Sequence, residues 1–385
     1  MLAPRLRQLL SKFSAEHLLR HRDIIQPTWA MINFCSNDYL NLSTHPKVIK
    51  AFRQGAQQYG LGSGASPSVS GYTFAHHQLE EKLAEFLQRD KAILFNSGYH
   101  ANLGVITTFA NRNSTIIADK LCHASLIDGI VLSRARCKRY RHNDYSHAEK
   151  IFQLSRQRRD ELLFITESVF SMQGDITNVK KLVSIANNEA MLLVDDAHGI
   201  GVLGKKGGGI CDYYQLSQSD VPCLVTPFGK ALGSFGAIVS GSSDIIDALI
   251  QCARTYRYST ALPPAVCSAT LASLTVLMEE SWRRSKLQAL ITFFIKEAKL
   301  RNLPCTSFDE TPIKSIITGC NKLTLKIQHK LAHRGFLVSC IRPPTVPINQ
   351  SCIRISLNCM HTEEQIICLL NLLHDYFEYE NQSTH

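Results

Sequence analysis

Residues 191–204 read MLLVDDAHGIGVLG. Four apolar residues, Met191 to Val194, end abruptly in Asp195-Asp196-Ala197-His198, and glycines follow at once. A short apolar run stopped by such a turn predicts a strand buried on both faces of a parallel sheet. Polar side chains at its C-terminal end then stand where open α/β sheets bind ligands. Asp195 and His198, three residues apart, are expected to reach one small molecule. A second strand is predicted to end in Val225-Thr226-Pro227-Phe228-Gly229-Lys230.

The pattern extends in both directions. Strands are expected at Ala92–Phe95, Thr115–Ala118, Lys138–Arg141, Leu162–Thr166, Met191–Val194, Leu224–Val225 and Ala237–Ser240, with helical stretches between most of them. This alternation implies an α/β fold with helices on both faces of a mostly parallel, seven-stranded sheet. Past residue 277 short strands (Ile313–Ile317, Phe336–Cys340, Cys352–Leu357) mix with helices, as in a smaller α+β domain. The division expected is residues 1–39 as an N-terminal helix and Pro27-containing connector, 40–276 as the large domain and 277–385 as the small one. Pro46 opens a helix to Tyr59, since proline suits a first helical turn. Leu79, Leu83 and Phe86 share one face of a helix over 73–88.

Bulk properties narrow the function classes. The 385 residues carry thirteen cysteines and a net charge of +10. No Cys-x-x-Cys pair or His-Glu-x-x-His occurs, which argues against a zinc site. The odd, scattered cysteines fit free thiols in a reducing cytoplasm. No apolar run approaches the ~20 residues that span a bilayer. Basic residues cluster at Arg134, Arg136, Lys138, Arg139 and Arg141, and at Arg156, Arg158 and Arg159. These read as a solvated face or as a dock for an acidic partner or phosphate-bearing carrier; no nucleic-acid motif accompanies them. Gly199–Lys205 matches Gly-x-x-x-x-Gly-Lys, but Lys206 stands where a P-loop needs Ser or Thr.

The remaining polar residues suggest pyridoxal phosphate (PLP) chemistry. Lys230 lies between Gly229 and Gly233 and among Phe228, Leu232 and Phe235. An apolar pocket lowers a lysine's pKa and frees its amine for covalent work on a carbonyl. Asp195 answers the need for a carboxylate that keeps a ring nitrogen protonated. His198 is a donor for a phenolic oxygen, and His123, between a strand and a helix, could stack on the ring. Gly98 and Tyr99 open a helix whose amides suit a phosphate.

The motifs SNDYL (36–40), SGYHAN (97–102), CHAS (122–125), TESVFSMQGD (166–175), VDDAHGIGVLG (194–204), FGKALG (228–233) and YSTALPP (258–264) occur in that order. Together they resemble the α-oxoamine synthases, PLP enzymes of the aspartate aminotransferase fold (fold type I), over residues 32–375. The resemblance implies decarboxylative condensation of an amino acid with an acyl thioester in a homodimer. Residues 341–347 (IRPPTVP) and 351–357 (SCIRISL) are most similar to members that join L-alanine to a pimeloyl thioester, on acyl carrier protein or coenzyme A, in biotin synthesis. By the same resemblance Lys230 would hold the cofactor and shuttle the substrate proton, and Asp195 would pair with the ring nitrogen. His198 and Ser171 would reach the phenolic oxygen, and His123 would stack on the ring and face the substrate. Gly98, Tyr99, Thr226 and Thr260, the last from the other subunit, would serve the phosphate. Arg354 would grip the substrate carboxylate, with Asn37, Thr345 and Arg20 lining the site. Two departures stand out: Pro227 replaces a threonine that members often carry three residues before the lysine, displacing Thr226 by one, and the segment before Asn33 is short. Glycine- or serine-using siblings, an aminotransferase on the same fold, and a non-catalytic scaffold subunit are the rival readings; the presence of Lys230 argues against the last.

Overall fold

The computed structural model describes residues 2–22, 24–26, 31–158 and 160–382. Pro27, Arg159 and residues 383–385 lie outside the described residues. Two compact units form, one of residues 38–171 and 176–285, the other of residues 1–37, 172–175 and 286–385.

The first unit is built on seven strands: β1 (Lys91–Phe95), β2 (Ser114–Asp119), β3 (Arg136–Tyr140), β4 (Glu161–Glu167), β5 (Met191–Asp195), β6 (Cys223–Pro227) and β7 (Ala237–Gly241). Their order across the sheet is β1-β7-β6-β5-β4-β2-β3. Only β7 runs antiparallel to its neighbours. The connection from β6 to β7, residues 228–236, is too short for the crossover that a parallel pair needs. So β7 returns beside β6, and Pro227 sits opposite Ala237. The next bond, from Phe228 N–H to the Gly236 carbonyl at 2.9 Å, makes 227/237 a non-hydrogen-bonded pair. The missing proline N–H therefore removes no ladder bond.

Alternation along the strands sends Ile116, Ala118, Leu163, Ile165, Leu193, Val225 and Val239 to one face. There they pack with Ala101, Val105 and Ile106 of the helix Gly98–Phe109 and with Leu126 and Ile130 of the helix Ala124–Ser133. Truncating a fully buried residue such as Leu193 would cost about 2–5 kcal/mol. The basic run 134–141 proves to be the sheet's edge. Strand β3 is exposed at Arg136, Cys137, Lys138 and Arg139, and Arg136 forks onto Asp160 at 3.1 and 3.2 Å. Charged side chains on an edge strand discourage pairing with other chains, which gives this cluster a structural role.

The second unit holds a three-stranded antiparallel sheet in which Ser351–Ser356 lies between Ser339–Ile341 and Ile313–Gly319. The single strand expected over 336–340 is divided: Phe336–Leu337 instead pairs in parallel with Ile32–Asn33. Phe34 stacks on His361 at 4.0 Å between centroids and approaches Phe336 at 6.2 Å. Residues 172–175 belong to this unit, and Gly174 needs to be glycine there. Its φ is +76°, and a Cβ would lie 2.2 Å from the Ile313 carbonyl oxygen.

Candidate active site

Three neighbouring parallel strands end in carboxyl side chains: β2 in Asp119, β4 in Glu167 and β5 in Asp195, all buried. Glu167 and Asp195 are register partners, so two carboxyls share one stretch of the sheet's C-terminal edge. Burial and the charge of Asp195 push the Glu167 carboxyl up to about 8, far above an ordinary glutamate. Glu167 Oε1 accepts from the His123 backbone N–H at 2.7 Å.

Asp195 is 5% exposed. Its Oδ1 accepts from the Ala197 N–H at 3.0 Å, and its Oδ2 from Asn102 Nδ2 at 2.7 Å. The same Asn102 nitrogen donates to Ser125 Oγ at 2.9 Å. Ser125 Oγ lies 2.8 Å from His123 Nδ1, which also accepts the Ser125 N–H at 3.2 Å. A lone pair must therefore sit on Nδ1, leaving the imidazole proton on Nε2. Partial burial lowers the His123 pKa, Asp195 opposes the shift and the Lys230 charge adds to it. Lys230 and Asp195 both act on Glu167 as well, so the imidazole and this carboxyl each feel the same lysine and the same carboxylate.

Neighbouring Asp196 is wholly buried. Its Oδ2 accepts from the Ile210 N–H at 3.1 Å. Side chains at Gly199 or Gly209 would place a Cβ within 2 Å of this carboxylate, so the glycines after the strand make room for it. His198 is also buried, with Nδ1 2.7 Å from the Tyr39 hydroxyl.

Lys230 follows β6 in a tight turn closed by the Gly233 N–H on the Lys230 carbonyl at 2.7 Å. Gly233 has φ +57° and backs onto the Ser43 amide, where a Cβ would come within 2.2 Å. Phe228 and Leu232 are buried as the sequence suggested, but Phe235 is largely exposed.

The helix Gly98–Phe109 starts with Ser97 as cap, its Oγ accepting from the His100 N–H at 3.2 Å. The Gly98 and Tyr99 amides have no intrahelical acceptor. Pro227 packs against this turn: a Cβ on Gly98 would lie 2.5 Å from Pro227 Cγ. Strand alternation puts Pro227 and Val225 on the helix side and Thr226 on the other. Thr226 thus does not take over the place that Pro227 holds; its hydroxyl is buried without a partner among the described residues. Ser171 lies in the turn past β4, half-buried. Thr260 is exposed, and its carbonyl accepts from Asn96 Nδ2 at 2.9 Å.

The other unit gathers the remaining residues into two pairs. Arg354 is 5% exposed and donates to Ser356 Oγ at 2.9 Å and to Asn37 Oδ1 at 3.1 Å. Arg20 donates to Thr345 Oγ1 at 3.0 Å. Arg342 reaches the His17 and Leu19 carbonyls, fastening the N-terminal segment beside that pair.

Sequence reasoning gave no role to Asn102, Ser125, Glu167, Tyr39 and Ser356. All but Ser356 fall within or beside the motifs SNDYL, SGYHAN, CHAS and TESVFSMQGD. The available signal was a polar residue repeating on the buried side of a helix or strand.

The family described as Aminotransferase class I and II matches residues 30–373. The chain is 48% identical over 347 residues to the 8-amino-7-oxononanoate synthase of Saccharophagus degradans, covering 90% of this chain and 87% of that one. It is also 48% identical over 350 residues to that of Methylococcus capsulatus, covering 89% and 88%. Among solved structures, the 8-amino-7-oxononanoate synthase of Francisella tularensis matches at a TM-score of 0.81 and 37% identity, over 91% of this chain and 99% of that one. A serine palmitoyltransferase from S. paucimobilis with PLP and myriocin bound matches at 0.91 and 26%, over 97% of both. The chain belongs to the class I and II aminotransferase family and, within it, to the α-oxoamine synthases, PLP-dependent enzymes that condense an amino acid with an acyl thioester.

Proposed function

We propose that this enzyme condenses L-alanine with a pimeloyl thioester, on acyl carrier protein or coenzyme A, to give 8-amino-7-oxononanoate, carbon dioxide and the free thiol. The observation that carries the reading is Asp195: a buried, twice-anchored carboxylate at the end of the central strand, acting on the same His123 imidazole and Glu167 carboxyl as Lys230. The donor set fits PLP. It offers a carboxylate for a protonated ring nitrogen, an amine for the aldehyde carbon, an imidazole with its proton on Nε2, and two helix-start amides for a phosphate.

When bound, PLP supplies an electron sink for the pair left as a bond at the substrate α-carbon breaks. The chain's residues govern the rest. The Lys230 amine takes the proton from the alanine α-carbon, the α-carbon joins the thioester carbonyl carbon, and the thiol leaves. Loss of the alanine carboxyl as carbon dioxide is balanced by return of a proton to that carbon. Asp195 holds the ring-nitrogen proton. His123, with Nε2–H forward, donates to an oxygen of the substrate. His198 and Ser171 set the phenolic oxygen. Arg354, already aligned by Ser356 and Asn37, receives the substrate carboxylate as a fork, and Arg20 with Thr345 lines the acyl path. We take the enzyme to be a homodimer in which Thr260, exposed in one protomer, serves the phosphate of the other site. Thirteen unpaired cysteines support a cytoplasmic setting, and no helix among the described residues is long and apolar enough to cross a membrane.

The test is the visible spectrum of the PLP-loaded protein as L-alanine, glycine and L-serine are added in turn, with mass detection of product after pimeloyl thioester. Selective response to L-alanine and a product of the expected mass support the reading. A response led by glycine or L-serine would overturn the substrate choice, and full activity in Lys230→Ala would remove the lysine from its role. The 0.91 TM-score to serine palmitoyltransferase supports the serine-using alternative, whereas the 48% identity to two 8-amino-7-oxononanoate synthases supports the reading proposed.

A further inference from the structure

Asn102 is 1% exposed, and its amide is arranged in an uneven way. Both Nδ2 protons are used, on Asp195 Oδ2 and Ser125 Oγ, whereas Oδ1 is buried with no partner among the described residues. A buried acceptor left unpaired is costly, and packing alone would favour a rotamer that satisfies it. The flipped amide would face Oδ1 to the Asp195 carboxylate, oxygen against oxygen. The orientation is thus set by the carboxylate, at the expense of the amide's own oxygen.

The second proton has a consequence at the imidazole. Ser125 Oγ accepts from Asn102, so its own hydroxyl proton is directed to its other neighbour, His123 Nδ1. One carboxamide therefore fixes the Asp195 carboxylate and, through one hydroxyl, the imidazole. From this geometry we infer that Asn102 is a positioning residue of the cofactor site, coupling the acid that faces the ring nitrogen to the histidine that faces the substrate. The inference rests on the cofactor site proposed above.

The test compares Asn102→Asp, Asn102→Ala and Ser125→Ala with the native chain, titrating each apoprotein with PLP between pH 5.5 and 8.5 and following the bound cofactor's visible band. Folding is checked by circular dichroism. The Asn102→Asp side chain has the shape of the amide but donates to Asp195 only while its new carboxyl holds a proton; two carboxyls in contact share one. Its PLP affinity should be lowered roughly tenfold or more at pH 8.5, the loss expected for a charge-assisted bond, and should recover toward native as the pH falls. Asn102→Ala should show a loss that does not recover. Ser125→Ala should keep PLP affinity within about threefold while moving the pH midpoint of the band, because only the imidazole arm is cut.

Native-like affinity for Asn102→Asp at every pH would show that Asn102 acts by shape alone and would overturn the inference. So would native behaviour of both Asn102 variants. If the Asn102 variants do not fold, an unmoved midpoint in Ser125→Ala overturns the link to His123. A native protein that takes up no PLP would instead overturn the cofactor site itself.

Discussion

The Tyr39 hydroxyl lies 2.7 Å from His198 Nδ1, and both side chains are buried. These residues are 159 positions apart, and their contact ties the SNDYL turn to the loop after the central strand. Tyr39→Phe removes one partner of the imidazole while keeping the ring. We expect the apoprotein to lose about 1–2 kcal/mol in urea unfolding and to bind PLP more weakly. If both measurements stay at native values, the contact is incidental to His198.

Gly98 and Pro227 form a second coupled pair. Gly98→Ala drives a methyl group into Pro227 Cγ at 2.5 Å, and overpacking of this kind costs about 1–3 kcal/mol. Because the displaced turn carries the candidate phosphate amides, PLP affinity should fall about tenfold. Pro227→Gly should restore most of it in the double variant. Independent, additive losses in a double-mutant cycle would mean that the two side chains do not bear on each other in solution.

The strands that build the site were legible because their apolar runs are unbroken and end sharply; Met191 to Val194 is the clearest. The carboxylate and lysine were legible because they close such runs. Asn102 was not, since a polar residue in SGYHAN could as well have faced solvent, and its partners come from residues 125 and 195. Glu167 was read only as part of a motif, because pairing with Asp195 depends on strand register. The face that Thr226 takes was not legible either, because one residue along a strand is the opposite face. The basic run 134–141 read as a solvated face or a dock, and its place on the edge strand was not visible from the sequence.

His361 makes the fold sensitive to acid. Its Nδ1 accepts from the Asn358 N–H at 3.0 Å, and its Nε2 lies 3.1 Å from the Asn33 carbonyl oxygen. Burial, with help from the Lys286 charge, lowers its pKa from 6.5 to about 4. Below pH 6.5 the unfolded chain binds a proton that the folded chain refuses, so stability is complete above that pH and is lost as the pH falls toward 4. The full loss is about 3 kcal/mol. In urea titrations at pH 7, 6 and 5, His361→Gln should flatten this decline by nearly one proton's slope. An unchanged slope would assign the acid sensitivity elsewhere.

Arg354 meets Ser356 and Asn37 with a planar fork that an ammonium group cannot reproduce. Arg354→Lys should raise the KM for the amino acid by roughly 10- to 100-fold, the range for a charged hydrogen-bond pair, while PLP affinity stays native. A KM within about twofold of native would place the carboxylate elsewhere.

The parallel pairing of Ile32–Asn33 with Phe336–Leu337 has a consequence during synthesis. At ribosomal rates of about 5–20 residues per second, strand 32–33 emerges roughly 15–60 s before its partner exists. The first unit's seven strands all lie within residues 91–241, so its sheet can assemble before Phe336–Leu337 has been made. Strand 32–33 is thus made before that sheet and can pair only after it.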